Sequence, residues 1–303
     1  MATAPIEPPR RLADGLSGDP ESPVRVWLAA LPELVRNQLA AWDLTLDRVP
    51  EPGGRNGFVA LVRQQDGTPA ALKIPVPGRT SAHEGAALAR WDGWGAVRLL
   101  RSDAATGALL LERLRPAVSL RSLPEAKAML EAAGTVRRLW VAPAGDDPFE
   151  TVAGRTDEDV EALRLAGSLT AAAGPLLDEA LELRRALPAD APEELLLHGA
   201  FRQGKVLAGD RVPWLAVGPS PVLGERAYDL AGLVLDRCED LAAGSGAASA
   251  ARRRVARLAD SLEVDRDRLR AWSLYRAVDG GAREYAAGDR QRGEVLLEFA
   301  TWL

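Results

Sequence analysis

Residues 195–231 constrain the fold of this chain more than any other stretch, because short apolar runs alternate there with turn residues. An apolar run at 195–197 leads into His198 and a loop. Two further apolar runs within 206–217 flank a Gly-Asp dipeptide at 209–210. Short apolar runs around such a dipeptide indicate a β-hairpin. The stretch is therefore predicted to form a strand, a loop, a hairpin and a second loop.

This segment resembles the catalytic core of the aminoglycoside phosphotransferases, in the branch of the streptomycin 6-kinases and hydroxyurea kinases. That core reads His-Gly-Asp-x-His-x-x-Asn, then an apolar strand, then Asp-Pro after the hairpin. The resemblance covers about residues 25–300 and implies an α+β, two-lobed, protein-kinase-like fold. We expect a small β-rich N-lobe at 24–115 and a larger, mostly helical C-lobe at 116–303, which contains the degenerate catalytic loop 195–231.

The family frame is kept while its reactive side chains are replaced. His198 stands at the His-Gly step, and residues 227–231 repeat the family's Ala-Tyr-Asp-Leu-Ala run. The base position is Ala200, the Asn position is Lys205, and the Asp of Asp-Pro is Gly218. In the family the first Asp aligns the substrate hydroxyl, while the Asn and second Asp hold magnesium on the ATP phosphates. The resemblance therefore implies no confident catalytic residue and no metal ligand here.

The substitutions also change the charge of the loop. Two carboxylates are lost at 200 and 218, and Arg202 and Lys205 add positive charge. Magnesium needs carboxylates to hold it, so this loop is expected to attract bare phosphates instead. ATP or another nucleotide is then the expected ligand, bound without a requirement for magnesium. The alternative is simple decay, in which Arg202 and Lys205 face solvent.

Lys73 is a charge within an apolar strand, residues 70–74, that follows a glycine-rich turn at 53–57. The resemblance implies that it is the phosphate-binding lysine, with Glu84 on the next helix as its partner. An exposed lysine on an edge strand is the alternative. Further along, the resemblance places the adenine-binding hinge at Glu112, Arg113 and Leu114, where backbone groups would do the binding.

The helical C-lobe supplies the acceptor pocket in the resembling kinases. Four side chains are predicted to line it: Trp272, Tyr275, Asp279 and Glu284. The two aromatic residues recur at helical spacing, which also fits a hydrophobic core, and the two acids also fit a solvated helix face. The arginines at 252, 253, 254 and 257 are predicted to form a solvated face of another helix.

The N-terminal part is predicted to be a disordered tail followed by a helix. Residues 1–23 contain five prolines and few large apolar groups, which is typical of disorder. Apolar residues then fall on one helical face, with Pro32 in the first turn: Leu31, Leu34, Val35, Leu39 and Trp42.

Composition limits the class of protein and its partners. The 303 residues carry a net charge of −5 without a long basic run, so neither nucleic acid nor a membrane surface is an expected partner. Cys238 is the single cysteine, which excludes an internal disulfide and suits a reducing, cytoplasmic setting. No apolar run approaches the roughly 18 residues of a membrane span.

Three functions remain open on the sequence. The first is a pseudokinase that binds a small molecule or nucleotide, or a protein partner, without phosphoryl transfer. The second is an active antibiotic phosphotransferase whose chemistry has moved to the nearest acids, Glu225 and Asp229. The third is a repurposed enzyme of secondary metabolism that uses the kinase-like pocket for other chemistry.

Overall fold

The computed structural model describes residues 6–16, 22–158, 160, 163, 174–242, 244 and 246–303. The chain divides into two compact units. Unit 1 comprises residues 1–119 and 206–220, and unit 2 comprises residues 120–205 and 221–303. Unit 1 is built on an antiparallel sheet and unit 2 is mostly helical, which agrees with the predicted α+β class.

The elements up to residue 119 are α1 (Arg10–Gly15), α2 (Pro23–Ala41), β1 (Thr45–Arg48), β2 (Gly57–Arg63), β3 (Pro69–Pro75), α3 (Arg79–Trp91), β4 (Leu99–Ser102), β5 (Leu109–Glu112) and β6 (Arg115–Ser119). The later elements are α4 (Glu125–Val136), α5 (Val152–Glu158), α6 (Gly174–Ala189), β7 (Leu195–Leu197), β8 (Val206–Ala208), β9 (Trp214–Ala216), β10 (Val222–Gly224), α7 (Arg226–Val234), α8 (Cys238–Ala242), α9 (Ala247–Leu262), α10 (Arg266–Ala286) and α11 (Arg290–Thr301).

The main sheet of unit 1 has the strand order β1-β2-β3-β5-β4, with every neighbouring pair antiparallel. β3 is its central strand, and Leu72 lies opposite Ala60 of β2 and Leu110 of β5. Successive side chains of a strand point to opposite faces. Leu72 and Ile74 therefore enter the core that α2 covers, while Lys73 points to the other face.

Helix α2 covers the sheet and begins earlier than predicted. The side chain of Ser22 caps it by accepting a hydrogen bond from the amide of Arg25, and Pro23 occupies the first turn. Pro32 therefore lies inside the helix instead of at its start. Leu31 and Val35 of the predicted apolar face are fully buried.

The described part of the predicted disordered tail is ordered against this core. Residues 6–16 include α1, and Leu12 is 0% exposed within the same apolar cluster as Trp27 and Leu31. The prediction of disorder for 1–23 is therefore wrong for residues 6–16, because Ile6 and Leu12 are enough to dock a short helix. Residues 1–5 and 17–21 lie outside the described part of the chain.

The hairpin of β8 and β9 belongs to unit 1, whereas the sequence placed it in a C-lobe at 116–303. β8 pairs with β6 as well as with β9, which makes a three-stranded sheet. The amide of Val97 also donates to the carbonyl of Ala216 over 2.9 Å. These backbone pairings attach residues 206–220 to the first unit.

Unit 2 is organised around α10, whose buried residues include Trp272, Tyr275 and Val278. Helix α11 packs closely on α10 at Gly293. A Cβ at this position of α11 would lie 2.4 Å from the ring of Tyr285 on α10. The two strands β7 and β10 pair antiparallel beside these helices. No helix in the described ranges is both long and apolar enough to cross a membrane.

Candidate functional site

Lys73 and Glu84 form a buried ion pair in unit 1. The Nζ of Lys73 lies 2.6 Å from Oε1 and 2.5 Å from Oε2 of Glu84. Lys73 is 9% exposed on the central strand β3, and Glu84 is 3% exposed on α3. The edge-strand interpretation of Lys73 is therefore wrong. The structure brings together the two residues that the sequence predicted as partners.

The first turn of the loop after β7 is held by a buried carboxylate in unit 2. Asp229 of α7 accepts hydrogen bonds from the amide of His198 over 2.9 Å and from the amide of Gly199 over 2.8 Å. Gly199 has a φ of 72°, a left-handed conformation that favours glycine. His198 is fully buried, and its Nδ1 accepts from the amide of Ala200. His198 thus shapes the loop.

A second carboxylate holds the middle of the same loop. Asp236, just after α7, accepts a hydrogen bond of 2.5 Å from the amide of Gln203. The Gln203 side chain is fully buried; its Oε1 accepts from Arg237 over 2.8 Å, and its Nε2 donates to the sulfur of Met129 over 3.2 Å. The carboxylates of Asp229 and Asp236 therefore fix the backbone of residues 198–203 at two points.

Burial affects the two anchoring carboxylates in the same way. Desolvation raises the pKa of Asp229, and the hydrogen bonds from the amides of His198 and Gly199 and the charge of Arg276 oppose that rise. Desolvation likewise raises the pKa of Asp236, opposed by the amide of Gln203 and by three nearby arginines. The three are Arg121, Arg202 and Arg254.

The family's reactive positions carry no carboxylate. Ala200 and Lys205 are partly exposed and Arg202 is exposed, with Lys205 closing a short 3₁₀ helix, Gln203–Lys205. In unit 1, Gly218 follows β9 with a φ of 61°, and a Cβ there would meet no atom within 4 Å. An aspartate at 218 would therefore have room, and Asp tolerates this backbone region better than most residues do.

Magnesium does not suit these side chains. An alanine methyl group and a glycine offer no ligand, and a lysine ammonium has three donors and no lone pair. Within the ranges that the structure describes, no group of three or more His, Cys, Asp or Glu residues is placed to hold a metal ion.

The side chains of the predicted hinge are engaged within unit 1. Glu112 accepts from Nη2 of Arg211 over 2.6 Å and from the amide of Arg98 over 2.7 Å. Arg113 donates to the carbonyls of Val62 and Ala70. Leu114 is buried. Adenine binding at this hinge stays a prediction about backbone groups.

The acids proposed as relocated catalysts have structural roles. Glu225 is 3% exposed; its carboxylate accepts from Nε of Arg268 over 2.6 Å and from the indole of Trp272 over 2.7 Å. Asp229 holds the loop amides described above. Both carboxylates are thus committed to hydrogen bonds inside unit 2, and this contradicts the hypothesis that they replaced the lost base.

Two of the four predicted acceptor-pocket residues belong to the helical core, and the other two form ion pairs. Trp272 and Tyr275 are buried and pack edge to face, with ring centroids 5.7 Å apart. Asp279 pairs with Arg283 on the same helix over 3.0 Å, and Glu284 pairs with Arg292 over 2.9 Å. Trp272 also lines a cavity of about 440 Å³, together with Glu193, Glu194 and Glu225.

Three residues that hold the loop in place were not predicted from the sequence. Gln203, Asp236 and Arg276 were not singled out, although Arg276 donates to the carbonyls of Tyr228 and Gly199. One signal was present: Asp229 and Asp236 are seven residues apart, which is about two helical turns and one face. The predicted arginine face is also corrected, because Arg254 is buried and donates to the carbonyl of Val234 over 2.9 Å.

Sequence comparison relates most of the chain to antibiotic-resistance kinases. Residues 41–288 match the family model described as aminoglycoside/hydroxyurea antibiotic resistance kinase. The chain is 32% identical to the streptomycin 6-kinase of Streptomyces glaucescens over 91% of this chain and 88% of that protein. It is 36% identical to the hydroxyurea phosphotransferase of Kitasatospora aureofaciens over 88% of this chain and 76% of that protein.

Solved structures show the same fold at lower identity. A thermostable mutant of the aminoglycoside phosphotransferase APH(4)-Ia, in a ternary complex with ADP and hygromycin B, gives a TM-score of 0.60 at 16% identity, covering 88% of this chain and 96% of that one. The choline kinase LicA of Streptococcus pneumoniae gives 0.58 at 12% identity, covering 88% and 99%. The predicted kinase-like fold is therefore confirmed.

Proposed function

The chain belongs to the family of aminoglycoside/hydroxyurea antibiotic resistance kinases, and on that premise we propose that it binds a nucleotide without efficient phosphoryl transfer. One combination carries the proposal. The Lys73–Glu84 pair is intact, while Ala200, Lys205 and Gly218 occupy the three positions where the family's transfer chemistry resides.

The ion pair supports a retained anion site. A buried ion pair is weak evidence for stability, because desolvation of both charges offsets their attraction. Apolar residues of similar volume would suit the apolar strand β3 as well. If Lys73 binds phosphate and Glu84 orients it, the presence of two buried charges, at 9% and 3% exposure, is explained by binding.

The loop supports altered chemistry over general decay. Asp229 and Asp236 still fix its backbone through the amides of residues 198, 199 and 203, so the substitutions leave the frame in place. On that frame Arg202 and Lys205 stand where the family has His and Asn, so the loop gains positive charge while the acids at 200 and 218 are lost. Guanidinium and ammonium groups both bind phosphate oxygens by charge-assisted hydrogen bonds.

Loss of the base and of the metal ligands would suppress transfer. A missing general base costs on the order of 10²–10⁴ in rate. Missing magnesium ligands remove the main stabiliser of the charge that develops on the transferred phosphoryl group. Lys73 nevertheless keeps a cation suited to phosphate in unit 1, so nucleotide binding is expected to survive without the reaction.

An active phosphotransferase is the second candidate, favoured by one observation. Curated relatives that the chain matches over most of its length carry the names streptomycin 6-kinase and hydroxyurea phosphotransferase. The cavity beside Trp272, with its three glutamates, would then be the place for a cationic acceptor. Against it stands the commitment of Glu225 and Asp229 to structural hydrogen bonds.

A paired experiment separates the two candidates. Thermal unfolding is followed with ATP, ADP and AMP, with and without magnesium, because a ligand that binds only the folded state raises Tm. Transfer to streptomycin and to hydroxyurea is followed by ATP consumption in parallel. The proposal expects a Tm rise without acceptor-dependent turnover. Turnover within the ordinary kinase range of about 1–100 s⁻¹ would favour the active enzyme.

A further inference from the structure

A groove in unit 2 has none of the family's motif residues in its lining. It runs between α4 and α9 and has a volume of about 380 Å³. Small-molecule sites commonly fall between about 300 and 1,000 Å³. Its lining includes Met129 and Leu130 of α4 and Arg253, Arg257 and Leu258 of α9. No role assigned above accounts for it.

The floor of the groove is apolar and open. Leu130 is 69% exposed, and it is the most exposed large apolar residue among those described. Met129, Ala133 and Leu258 extend the same floor. Covering a concave apolar surface of this kind with a hydrocarbon or ring removes the surface from water, which is favourable.

The rim of the groove carries two arginines that pair with no acid among the described residues. Arg253 and Arg257 are exposed and four residues apart on α9, where like charges repel each other mildly. In the described ranges neither makes an ion pair or a side-chain hydrogen bond. Glu125, the acid in the lining, is already paired with Arg254.

The back of the groove touches the degenerate loop of the same unit. The sulfur of Met129 accepts the Nε2 hydrogen bond of Gln203 over 3.2 Å. Arg254 also donates to the carbonyl of Asp236, whose side chain holds the amide of Gln203. A molecule on the floor would therefore contact a residue that supports the loop.

We propose that this groove is a second binding site, for a small organic anion with an apolar body, such as a medium-chain carboxylate. The carboxylate meets Arg253 and Arg257, whose guanidinium groups suit bidentate pairing. The hydrocarbon lies on Met129 and Leu130. This site does not depend on nucleotide binding or on the fate of the transfer reaction.

Methionine labelling gives a direct test, because the chain contains two methionines, Met1 and Met129. The full chain is labelled with ¹³C-methyl methionine and titrated with sodium decanoate below its micelle concentration. The Met129 resonance, assigned by its loss in Met129→Leu, is expected to shift in a saturable way. The Met1 resonance serves as the internal reference and is expected to stay in place.

Charge variants decide whether the rim selects an anion. Arg253→Gln with Arg257→Gln is expected to weaken decanoate binding at least tenfold. The matched control Arg270→Gln, an exposed arginine outside the lining, is expected to bind as the wild type does. Decyltrimethylammonium is expected to leave Met129 unshifted. An unshifted Met129 at saturating decanoate, equal binding by the double variant, or equal binding of the cation would each overturn the proposal.

Discussion

The Nζ of Lys73 lies within 2.6 Å of both carboxylate oxygens of Glu84, on the central strand of the sheet and beneath helix α3. Two opposite charges are thus almost fully withdrawn from water at one point of unit 1. Removing one partner of such a pair strongly lowers the free energy of unfolding, whereas replacing both partners with uncharged residues costs little. A variant without both charges therefore tests whether the pair is needed for binding as well as for stability.

Lys73→Ala is expected to lower both stability and nucleotide affinity. Glu84 would remain buried without a partner, which costs about 3–5 kcal/mol of unfolding free energy. Lys73→Met with Glu84→Gln removes both charges and is expected to recover most of that stability but not the affinity. Urea unfolding and calorimetric titration with ADP measure the two effects. Wild-type affinity in the double variant would make the pair purely structural.

Asp229→Ala is expected to destabilise unit 2 strongly. The amides of His198 and Gly199 would lose their acceptor inside the protein, at about 1–3 kcal/mol for each unsatisfied group. Asp210→Asn, which alters an exposed pair with Arg115, is the matched control and is expected to have a much smaller effect. Chemical denaturation measures both. Equal effects of the two substitutions would argue against the loop anchor.

Local pattern in the sequence predicted the strands of the sheet, whereas the Lys73–Glu84 pair was predicted from the resemblance. Because successive strand residues alternate between faces, Lys73 faces away from the core side chains Leu72 and Ile74, and the structure places Glu84 beside it. The hairpin of β8 and β9 followed from its Gly-Asp turn in the same way.

Long-range contacts account for what the sequence did not reveal. Gln203 and Asp236 are 33 residues apart and meet because of how α7 packs beneath the loop. For Trp272 the sequence left both a pocket wall and a core position open, because helical spacing alone does not distinguish them. In the structure its indole donates to Glu225 and its ring packs in the core. Composition alone likewise did not predict that Leu12, in a proline-rich segment, packs into the apolar core.

Cys238 is expected to resist thiol reagents in the folded protein. It is 4% exposed, and burial, together with the neighbouring Glu239, raises the pKa of its thiol to about 12. The reactive thiolate is therefore scarce at pH 8. Titration with Ellman's reagent is expected to show one reactive thiol only after denaturation. Rapid reaction of the native protein would contradict the packing of α8.

Rebuilding the family's side chains is expected to restore metal dependence. In the triple variant Ala200→Asp, Lys205→Asn and Gly218→Asp, carboxylates return where the structure leaves room at 218. Nucleotide affinity should then rise with magnesium, and a trace of transfer to hydroxyurea or streptomycin should appear. Affinity measured with magnesium and with chelator checks this. If the variant folds but its nucleotide affinity is the same with magnesium and with chelator, the assignment of 200, 205 and 218 to the family's reactive positions is contradicted.

The most direct test of the central claim is the nucleotide affinity of the wild-type chain with magnesium and with chelator, measured by calorimetry beside Lys205→Asn. If cations have replaced the metal, the wild type binds as tightly in chelator as in magnesium. Lys205→Asn then loses about 1.5–3 kcal/mol of binding free energy in chelator, the net value of a hydrogen bond to a charged group. Wild-type binding that requires magnesium, or the absence of binding under both conditions, would contradict the account.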